Sequence, residues 1–288
     1  MSMLREKLSI VIPAKNEAEN LKTLLPELRK LFPEAEIIVV NDGSNDESSS
    51  VIKANGIKEI YHHYSKGNGA SVKAGARIAN HDVIVFMDGD GQHKAEDIER
   101  FIAEYSKGYD MVVGARNAKS QASIARLLAN SFYNSLSSWI SGRKILDLTS
   151  GFRIVNAKKF KKFLYLLPNG FSYPTTSTMA FFRAGYSVSY IPIETAERKG
   201  ESHISLIKDG LRFLVIIFKI GTLYSPLKIF LPFSAGFFGI GLAYYIYTYF
   251  LEGTFTNMSA VLFMASIIVF LIGLVSEQVT ALMYKDDE

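Results

Sequence analysis

The chain has 288 residues, a formal net charge of +4 and no cysteine. This length allows one large domain or two small ones, and the lack of cysteine excludes disulfides, thiol nucleophiles and zinc–thiolate sites. Residues 201–288 hold 5 Lys+Arg against 7 Asp+Glu, which leaves 27 against 21 for the first 200. A basic N-terminal part can attract phosphates, nucleic acid or anionic lipid, although a solvated lysine-rich surface explains most of these lysines.

Short runs rich in β-branched residues alternate with helical stretches in the first 200 residues. Five runs are predicted strands: LSIVIPA (8–14), EIIVVND (36–42), KEIYHHY (58–64), DVIVFMD (82–88) and DMVVGAR (110–116). Apolar strands separated by helices predict an α/β domain with a mostly parallel sheet that is covered on both faces.

Two helices are predicted between the first three strands, each opened by a capping box. The stretch NEAENLKTLLPELRKLF pairs Asn16 with Glu19, and SNDESSSVIKANG pairs Ser44 with Glu47. Pro26 is expected to kink the first of these helices.

Polar residues follow the predicted strands at the edge where ligands bind in such sheets. They are Pro13, Lys15 and Glu17 after the first strand, Asp42 after the second, Lys66 and Gly67 after the third, and Asp88 and Asp90 after the fourth. One acidic strand end is commonly a turn former, but this set gathers basic and acidic groups at one edge.

The stretch VIVFMDGDGQH ends an apolar run with two aspartates. Asp88 and Asp90 are two apart, so an extended chain would point both the same way, and Gly89 would allow close backbone approach. Neighbouring carboxylates repel unless one is protonated or a cation binds between them, and Mg²⁺ favours a few carboxylates together with substrate phosphates. A plain turn is the alternative. A calcium loop fits less well, because Gln92 takes the third ligand position and the following glycine is missing.

The C-terminal part is predicted to cross a membrane twice. Residues 229–250 carry no charge over 22 residues, about 33 Å as a helix, and residues 259–275 form a second such run. Lys219 and Lys228 precede the first run, which places both flanks on the cytosolic side. A buried hairpin in a soluble core is the disfavoured alternative.

The stretch just before these runs is amphipathic. Lys208, Arg212 and Lys219 form one helical stripe, which is typical of a helix in the membrane interface, while packing on the first domain is the alternative. The predicted organisation is an α/β domain over 1–203, interface helices over 204–226 and a two-helix transmembrane hairpin over 227–288.

Seven motifs occur in a fixed order: VIPAKNEAENL, VVNDGSND, KGNGASVKAG, FMDGDGQH, VVGAR, DLTSGFR and ERKGESH. Together they resemble family-two glycosyltransferases of the GT-A fold. Within that family the chain is similar to the polyprenyl-phosphate (dolichyl-phosphate) glycosyltransferases of the membrane-anchored prokaryotic type, over roughly residues 7–225. The resemblance implies a Rossmann-like GT-A domain followed by interface helices and two transmembrane helices.

The resemblance also implies a role for particular residues. The nucleotide sugar would be bound by Pro13, Lys15, Glu17, Asp42, Lys66, Asp88, Gly89, Asp90, Arg198 and His203. The catalytic set would be Asp88, Asp90, Asp147 and Arg116, with Mg²⁺ or Mn²⁺ held by Asp90 and Gln92. The acceptor phosphate would be bound by Arg116, Arg126, Ser150 and Arg153, with Thr149 beside them.

The implied reaction is inverting transfer of a sugar to a polyprenyl or dolichyl phosphate on the cytoplasmic face of a membrane. UDP-glucose or UDP-N-acetylglucosamine is the favoured donor, and GDP-mannose the alternative. A phosphomonoester has a second pKa near 6, so the acceptor is already a nucleophile, and Asp147 is expected to orient the sugar rather than to act as a base. Nucleic acid is not an expected partner. A homo-oligomer is open, because Gly236, Gly239 and Gly241 could pack between copies or between the two spans.

Three positions depart from the pattern of dolichyl-phosphate mannose synthases. Lys15 stands where Tyr is common, Asn41 where Asp is common, and His203 where Lys is common. The first departure weakens the GDP-mannose assignment.

Three rival functions are less consistent with the sequence. A processive polysaccharide synthase would carry a QxxRW-type motif, but the single tryptophan, Trp139, lies in SLSSWISGRK. A nicotinamide dehydrogenase would have a glycine-rich turn where this chain has PAKNEAEN. The third rival is a membrane scaffold that binds a nucleotide sugar without transfer, and only a measurement of turnover would exclude it.

Overall fold

A computed structural model describes residues 7–116, 124–170, 172–195, 218–219 and 221–283, with the backbone alone for 124–130. The described residues divide into two compact units. The first lies within Met1–Ser135 and Lys144–His203, and the second within Leu136–Arg143 and Ile204–Glu288. Residues 204–217, most of the predicted interface stretch, are outside the described residues.

The first unit is built on a seven-stranded sheet with the order β3-β2-β1-β4-β6-β5-β7. The strands are β1 Leu8–Ala14, β2 Glu36–Asn41, β3 Lys58–Tyr61, β4 Val83–Phe86, β5 Met111–Arg116, β6 Arg153–Asn156 and β7 Val188–Ile193. Strand β6 is antiparallel to β4 and β5, and the other neighbours are parallel. The five predicted strands and the mostly parallel sheet are confirmed, while β6 and β7 were not predicted.

Helices cover both faces of this sheet. They are α1 Ala18–Leu31, α2 Ser48–Ala54, α3 Asn68–Ile78, α4 Asp97–Tyr105, α6 Ala157–Lys161 and α7 Tyr173–Arg183, whereas α5 Ile124–Ser141 ends in the second unit. The main core joins alternate residues of β1, such as Ile10 and Ile12, to apolar residues of α1 and α4. Val11, on the opposite face of β1, packs on Gly75 of α3. These layers bring the carboxyl ends of β1, β2 and β4 to one edge.

The two predicted capping boxes are wrong. Helix α1 has Glu17 as its N-cap residue, without a capping bond from that side chain, and α2 begins after Glu47. The two helix starts bind each other instead: Asn16 N–H donates to Ser44 Oγ at 2.9 Å, and Ala18 N–H donates to Asp46 at 3.0 Å. Asn16 has a φ of 56°, which a tight turn of this kind requires. Helix α1 continues through Pro26.

The second unit contains two long helices, α8 Pro226–Glu252 and α9 Asn257–Met283. Both are long and apolar enough to cross a membrane, and only 17% of the most apolar window of each is buried. A core helix of a soluble protein would be covered by protein, so this exposure fits lipid contact.

The two long helices pair through small and hydroxyl residues. Ser234 and Ser266 each donate a side-chain hydrogen bond to the carbonyl of the other, both at 2.9 Å. A Cβ at Gly241 would lie 3.0 Å from Leu262 of α9. Of the two alternatives for the glycines, Gly241 therefore packs within the hairpin.

Gly75→Ala tests the contact between α3 and the sheet. The added Cβ would lie 2.2 Å from Val11 Cγ1, with the strand fixed on both sides. We expect overpacking of about 1–3 kcal/mol, seen as a lower melting temperature of the detergent-solubilised protein. Gly170→Ala is the matched control, because a Cβ there meets nothing within 4 Å in the described residues. Equal melting temperatures for the two variants would contradict the packing.

Candidate active site

Asp42 lies at the end of β2 and organises the turn that leads into α3. It is buried and accepts four hydrogen bonds: from His62 Nδ1 at 2.7 Å, Ser65 Oγ at 2.7 Å, Lys66 N–H at 2.8 Å and Gly67 N–H at 2.9 Å. Burial raises the pKa of Asp42, but the bonds from His62, Lys66, Ser65 and Gly67 outweigh it and lower the pKa to about 2. These donors from the chain itself occupy the carboxylate oxygens, and the contact of Asp42 with a nucleoside stays a prediction.

Asp88 lies where several elements converge. Its carboxylate accepts a bond from Asn68 Nδ2 of α3 at 3.3 Å, and Oδ2 lies 4.0 Å from His93 Nε2. A Cβ at Gly151 would lie 2.7 Å from Asp88 Oδ2 and 3.1 Å from the Tyr173 hydroxyl. Only glycine therefore allows the 147–151 segment to approach this carboxylate so closely.

Asp90 is placed by a turn and not by an extended strand. Strand β4 ends at Phe86, and Gly89 and Asp90 form a turn, so the expectation that an extended chain aims Asp88 and Asp90 the same way is wrong. Gly89 N–H donates to the Pro13 carbonyl of β1 at 3.2 Å, which ties the turn to the sheet edge. Asp90 Oδ1 accepts a bond from Gln92 N–H at 3.1 Å.

The donor set of this turn suits a hard cation. No group of three or more His, Asp or Glu side chains able to hold a metal occurs among the described residues. Asp90 and Gln92 offer one carboxylate and one amide oxygen, both partly exposed. That is too few ligands for an all-protein cage, but it matches the way Mg²⁺ binds through a carboxylate, waters and substrate phosphates.

His93 was not among the predicted site residues. Its side chain is 6% exposed, its ring centroid lies 4.8 Å from that of Phe152 with the two planes tilted by 36°, and its buried Nδ1 has no hydrogen-bond partner in the described part of the chain. Burial lowers the pKa of His93 to about 4, so the ring beside Asp88 is neutral at pH 7. In the sequence, the position of His93 directly after the predicted metal ligand Gln92 was the feature that indicated its place in the site.

Arg116, the last residue of β5, is held by Asp147. Arg116 Nε and Nη2 donate to the two carboxylate oxygens at 2.7 and 3.0 Å, and Arg116 N–H donates at 3.2 Å. The N–H groups of Thr149 and Ser150 also donate to Asp147, at 3.0 and 3.1 Å. The Arg116 side chain is 30% exposed and that of Asp147 only 8%, so the guanidinium faces outward from a buried anchor.

This network fixes the charge of both partners. Burial raises the pKa of Asp147, but the hydrogen bonds and charge of Arg116 outweigh it and hold the pKa below its usual value. Burial lowers the pKa of Arg116, but the hydrogen bond and charge of Asp147 and the charge of Asp88 outweigh it, so the pKa lies above its usual value. Asp147 is therefore an ionised anchor for Arg116 at neutral pH, and its expected role of orienting the sugar stays a prediction.

Arg153 and Ser150 are both buried, and they bind each other. Arg153 is 0% exposed, and its Nη1 donates to the Pro174 carbonyl at 3.0 Å and to Ser177 Oγ at 2.7 Å, while Nη2 donates to the Ser150 carbonyl. Ser150 is itself 2% exposed. Both residues belong to the segment that carries Asp147, the anchor of Arg116, and their contact with an acceptor phosphate stays a prediction.

The other predicted site residues occupy different environments. Pro13 and Gly89 are buried, and Lys15 and Lys66 are exposed at the same sheet edge. Glu17 accepts a bond from Asn20 Nδ2 at 2.7 Å. Arg198, His203 and the side chain of Arg126 lie outside the described residues.

Two family models match the chain. Residues 9–165 match glycosyl transferase family 2, and residues 225–282 match the GtrB C-terminal hairpin. The first match spans the sheet edge described above, and the second spans α8 and most of α9.

Individual proteins show the same likeness. A Bacillus subtilis (strain 168) protein assigned as a glycosyltransferase, CsbB, is 28% identical over 96% of this chain and 88% of its own length. Polyprenol monophosphomannose synthase of Mycolicibacterium smegmatis is 27% identical over 66% of this chain and 77% of its own. The crystal structure of Mycobacterium tuberculosis glucosyl-3-phosphoglycerate synthase with Mn²⁺, UDP and product has a TM-score of 0.55 at 18% identity, covering 73% of this chain and 79% of that one. The GT-A fold is thereby confirmed.

Asp42→Asn tests the anchor of the turn before α3. A depressed folded-state pKa stabilises the fold above the unfolded pKa of about 3.9, and this contribution is lost as the pH falls through about 2. At pH 7 we expect Asp42→Asn to lower the free energy of unfolding by about 2 kcal/mol and to flatten its dependence on pH between about 4 and 2. The measurement is denaturant unfolding in detergent across this range. The exposed Asp82→Asn variant is the control, and an unchanged slope in Asp42→Asn would refute the role.

Proposed function

The chain belongs to glycosyl transferase family 2, and on that basis we propose that it transfers a sugar from a nucleotide-sugar donor to a polyprenyl phosphate. One observation carries the proposal. An acidic turn at the sheet edge, Asp88 to Asp90, lies near an anchored and partly exposed guanidinium, Arg116, in a chain that continues into the membrane-type hairpin. A soluble nucleotide sugar and a lipid-borne phosphate need charged groups that bind their phosphates, and the lipid also needs a protein that is held at the membrane.

Charge is the main chemical problem in this reaction. The acceptor phosphate oxygen forms a bond to the anomeric carbon as the bond from that carbon to the diphosphate breaks, and the electron pair leaves with the nucleoside diphosphate. A single displacement of this kind inverts the configuration. Because the acceptor is already ionised near pH 7, no strong base is needed.

Arg116 supplies a fixed positive charge for this displacement. Asp147 takes Nε and Nη2, and among the described residues no hydrogen bond occupies Nη1, which we propose binds a phosphate oxygen. The buried anchor keeps the guanidinium in place before the substrates arrive, which lowers the reorganisation needed during the reaction. Mg²⁺ or Mn²⁺ held by Asp90 and Gln92 would neutralise the charge that develops on the diphosphate, and Mn²⁺ with UDP in the structural relative supports this cation class.

The donor proposed is UDP-glucose or UDP-N-acetylglucosamine. Lys15, exposed at the end of β1, replaces the tyrosine common in mannose synthases. GDP-mannose is the second candidate, supported by the printed name of the Mycolicibacterium relative. The acceptor and active site are proposed to meet at the cytoplasmic face, because Lys219 and Lys228 precede α8.

Release of nucleoside diphosphate by the purified full chain tests the function and identifies the donor. The protein in detergent is given a panel of UDP- and GDP-sugars, a polyprenyl phosphate, and Mg²⁺, Mn²⁺ or chelator. We expect release with one donor only when lipid and metal are both present. Asp90→Ala should lower the rate by at least about 100-fold through loss of the charge-neutralising site, with Asp82→Ala as the matched surface control.

Two results would count against the proposal. Binding of a nucleotide sugar without release under any condition would favour a scaffold. Release that continues at the same rate in Asp90→Ala and in chelator would remove the metal from the reaction.

Asp147→Asn separates an anchor from a base. An amide would place a donor against the guanidinium, so Arg116 should lose its orientation and kcat/KM for the lipid phosphate should fall about 10- to 100-fold, the size of effect expected when an orienting partner is lost. The pH–rate profile should keep its shape. A profile that loses its acidic limb in Asp147→Asn would instead assign Asp147 as the base.

A further inference from the structure

The C-terminal end of α5 belongs to the second unit. Residues Leu136–Arg143 group with the hairpin, and the contacts are specific. Lys228 Nζ, in the first turn of α8, donates to the Ile140 carbonyl at 2.9 Å. A Cβ at Gly221 would lie 2.0 Å from Ile229 and 3.3 Å from Ile140, so these three residues pack closely. The end of α5 is therefore fixed at the level where α8 begins.

This fixed end presents an aromatic ring outward. Ser137 and Ile140 are buried, at 3% and 2% exposure, whereas Trp139 between them is 53% exposed. Phe218, just before α8, is 50% exposed and packs edge-on against Phe230. Trp is the side chain most typical of the membrane–water interface, because its ring is apolar and its N–H is polar.

The exposed charges described at this end of the hairpin are basic: Arg143, Lys219 and Lys228. Two acidic residues are described in this unit. Glu252 ends α8 at the far end of the helix, and Glu277 lies at the same end as the cations but is half-buried and accepts the Leu227 N–H at 3.2 Å. An exposed tryptophan and exposed cations, carried by the end of α5 and the start of α8, match an interface with anionic headgroups.

We propose that Trp139, Arg143, Lys219 and Lys228 form an interface platform that binds anionic phospholipid headgroups of the leaflet that α8 enters. The platform continues the membrane contact of α8 along the end of α5, and so fixes the depth of the second unit in the bilayer. It depends on the membrane hairpin and not on the transferase reaction. Each basic residue is expected to favour an anionic lipid about fivefold at the surface.

The single tryptophan of the chain makes the platform measurable. The full chain is reconstituted in nanodiscs of phosphatidylcholine with phosphatidylglycerol, with lipids brominated near the headgroup or near the chain end. We expect headgroup-proximal bromine to quench Trp139 more strongly than chain-end bromine, and aqueous iodide to quench it weakly. Trp139→Phe supplies the blank.

Two quenching results would overturn the proposal. Strong quenching by iodide without quenching by brominated lipid would place Trp139 in water. Protection from every quencher would place it against protein, such as a second copy. Neither readout depends on turnover, so this test can fail while the proposed reaction stands, and the reverse also holds.

Lipid selectivity tests the charges separately. The association of spin-labelled phosphatidylglycerol relative to phosphatidylcholine is measured for the full chain and for Arg143→Gln/Lys219→Gln. We expect the preference for the anionic lipid to fall severalfold in the double variant and to remain in Lys30→Gln/Lys53→Gln, two exposed lysines of the first unit. Lys228 is left unchanged because it also binds the Ile140 carbonyl. Equal preference in both double variants would overturn the headgroup assignment.

Discussion

The candidate active site depends on the guanidinium of Arg153, which is buried among carbonyl and hydroxyl oxygens beneath it. Arg153 is fully buried, and its described hydrogen bonds go to carbonyls and hydroxyls of the 150–178 region. A buried charge is costly unless it is hydrogen-bonded, and the hydroxyls of Ser177 and Thr178 in α7 accept bonds from Arg153 Nη1, while Nε has no partner within the described residues. Arg153 holds the Ser150 carbonyl while Asp147 holds the Ser150 N–H, and the segment between them is fixed on both sides.

The same segment decides what Arg116 can do. Asp147 is held by the Thr149 and Ser150 N–H groups, and it in turn fixes the Arg116 fork. A long side chain that is oriented in advance loses less entropy when an anion binds. Support therefore passes from Arg153 through Ser150 to Asp147, which are all buried, and then to the partly exposed Arg116.

The fold was predictable from the sequence where a local pattern decides the structure. Strands β1 to β5 and the two apolar helices follow from hydrophobic runs and their spacing. Strand β6 has four residues, begins with a charged one and pairs antiparallel, so no local pattern marks it. The helix starts at Ala18 and Ser48 were misjudged because Asn16 and Ser44 bind across the chain, and such partners are not visible in either segment alone.

In the hairpin, the spacing of small residues along each helix indicates which of them pack between the helices better than residue type alone. Small or hydroxyl residues recur every seven positions along both helices, and apart from Pro226 at the start of α8 they are the buried residues described there: Ser234, Gly241 and Thr248 on α8, and Ser259, Ser266, Gly273 and Thr280 on α9. A seven-residue period keeps one stripe facing a neighbour as two helices wind around each other, so it selects intramolecular contacts. Gly236 and Gly239 are off this stripe, and within the described residues a Cβ at either would meet nothing within 4 Å. Gly241 satisfies both the residue-type criterion and the period, and it is the glycine of the three that packs against α9.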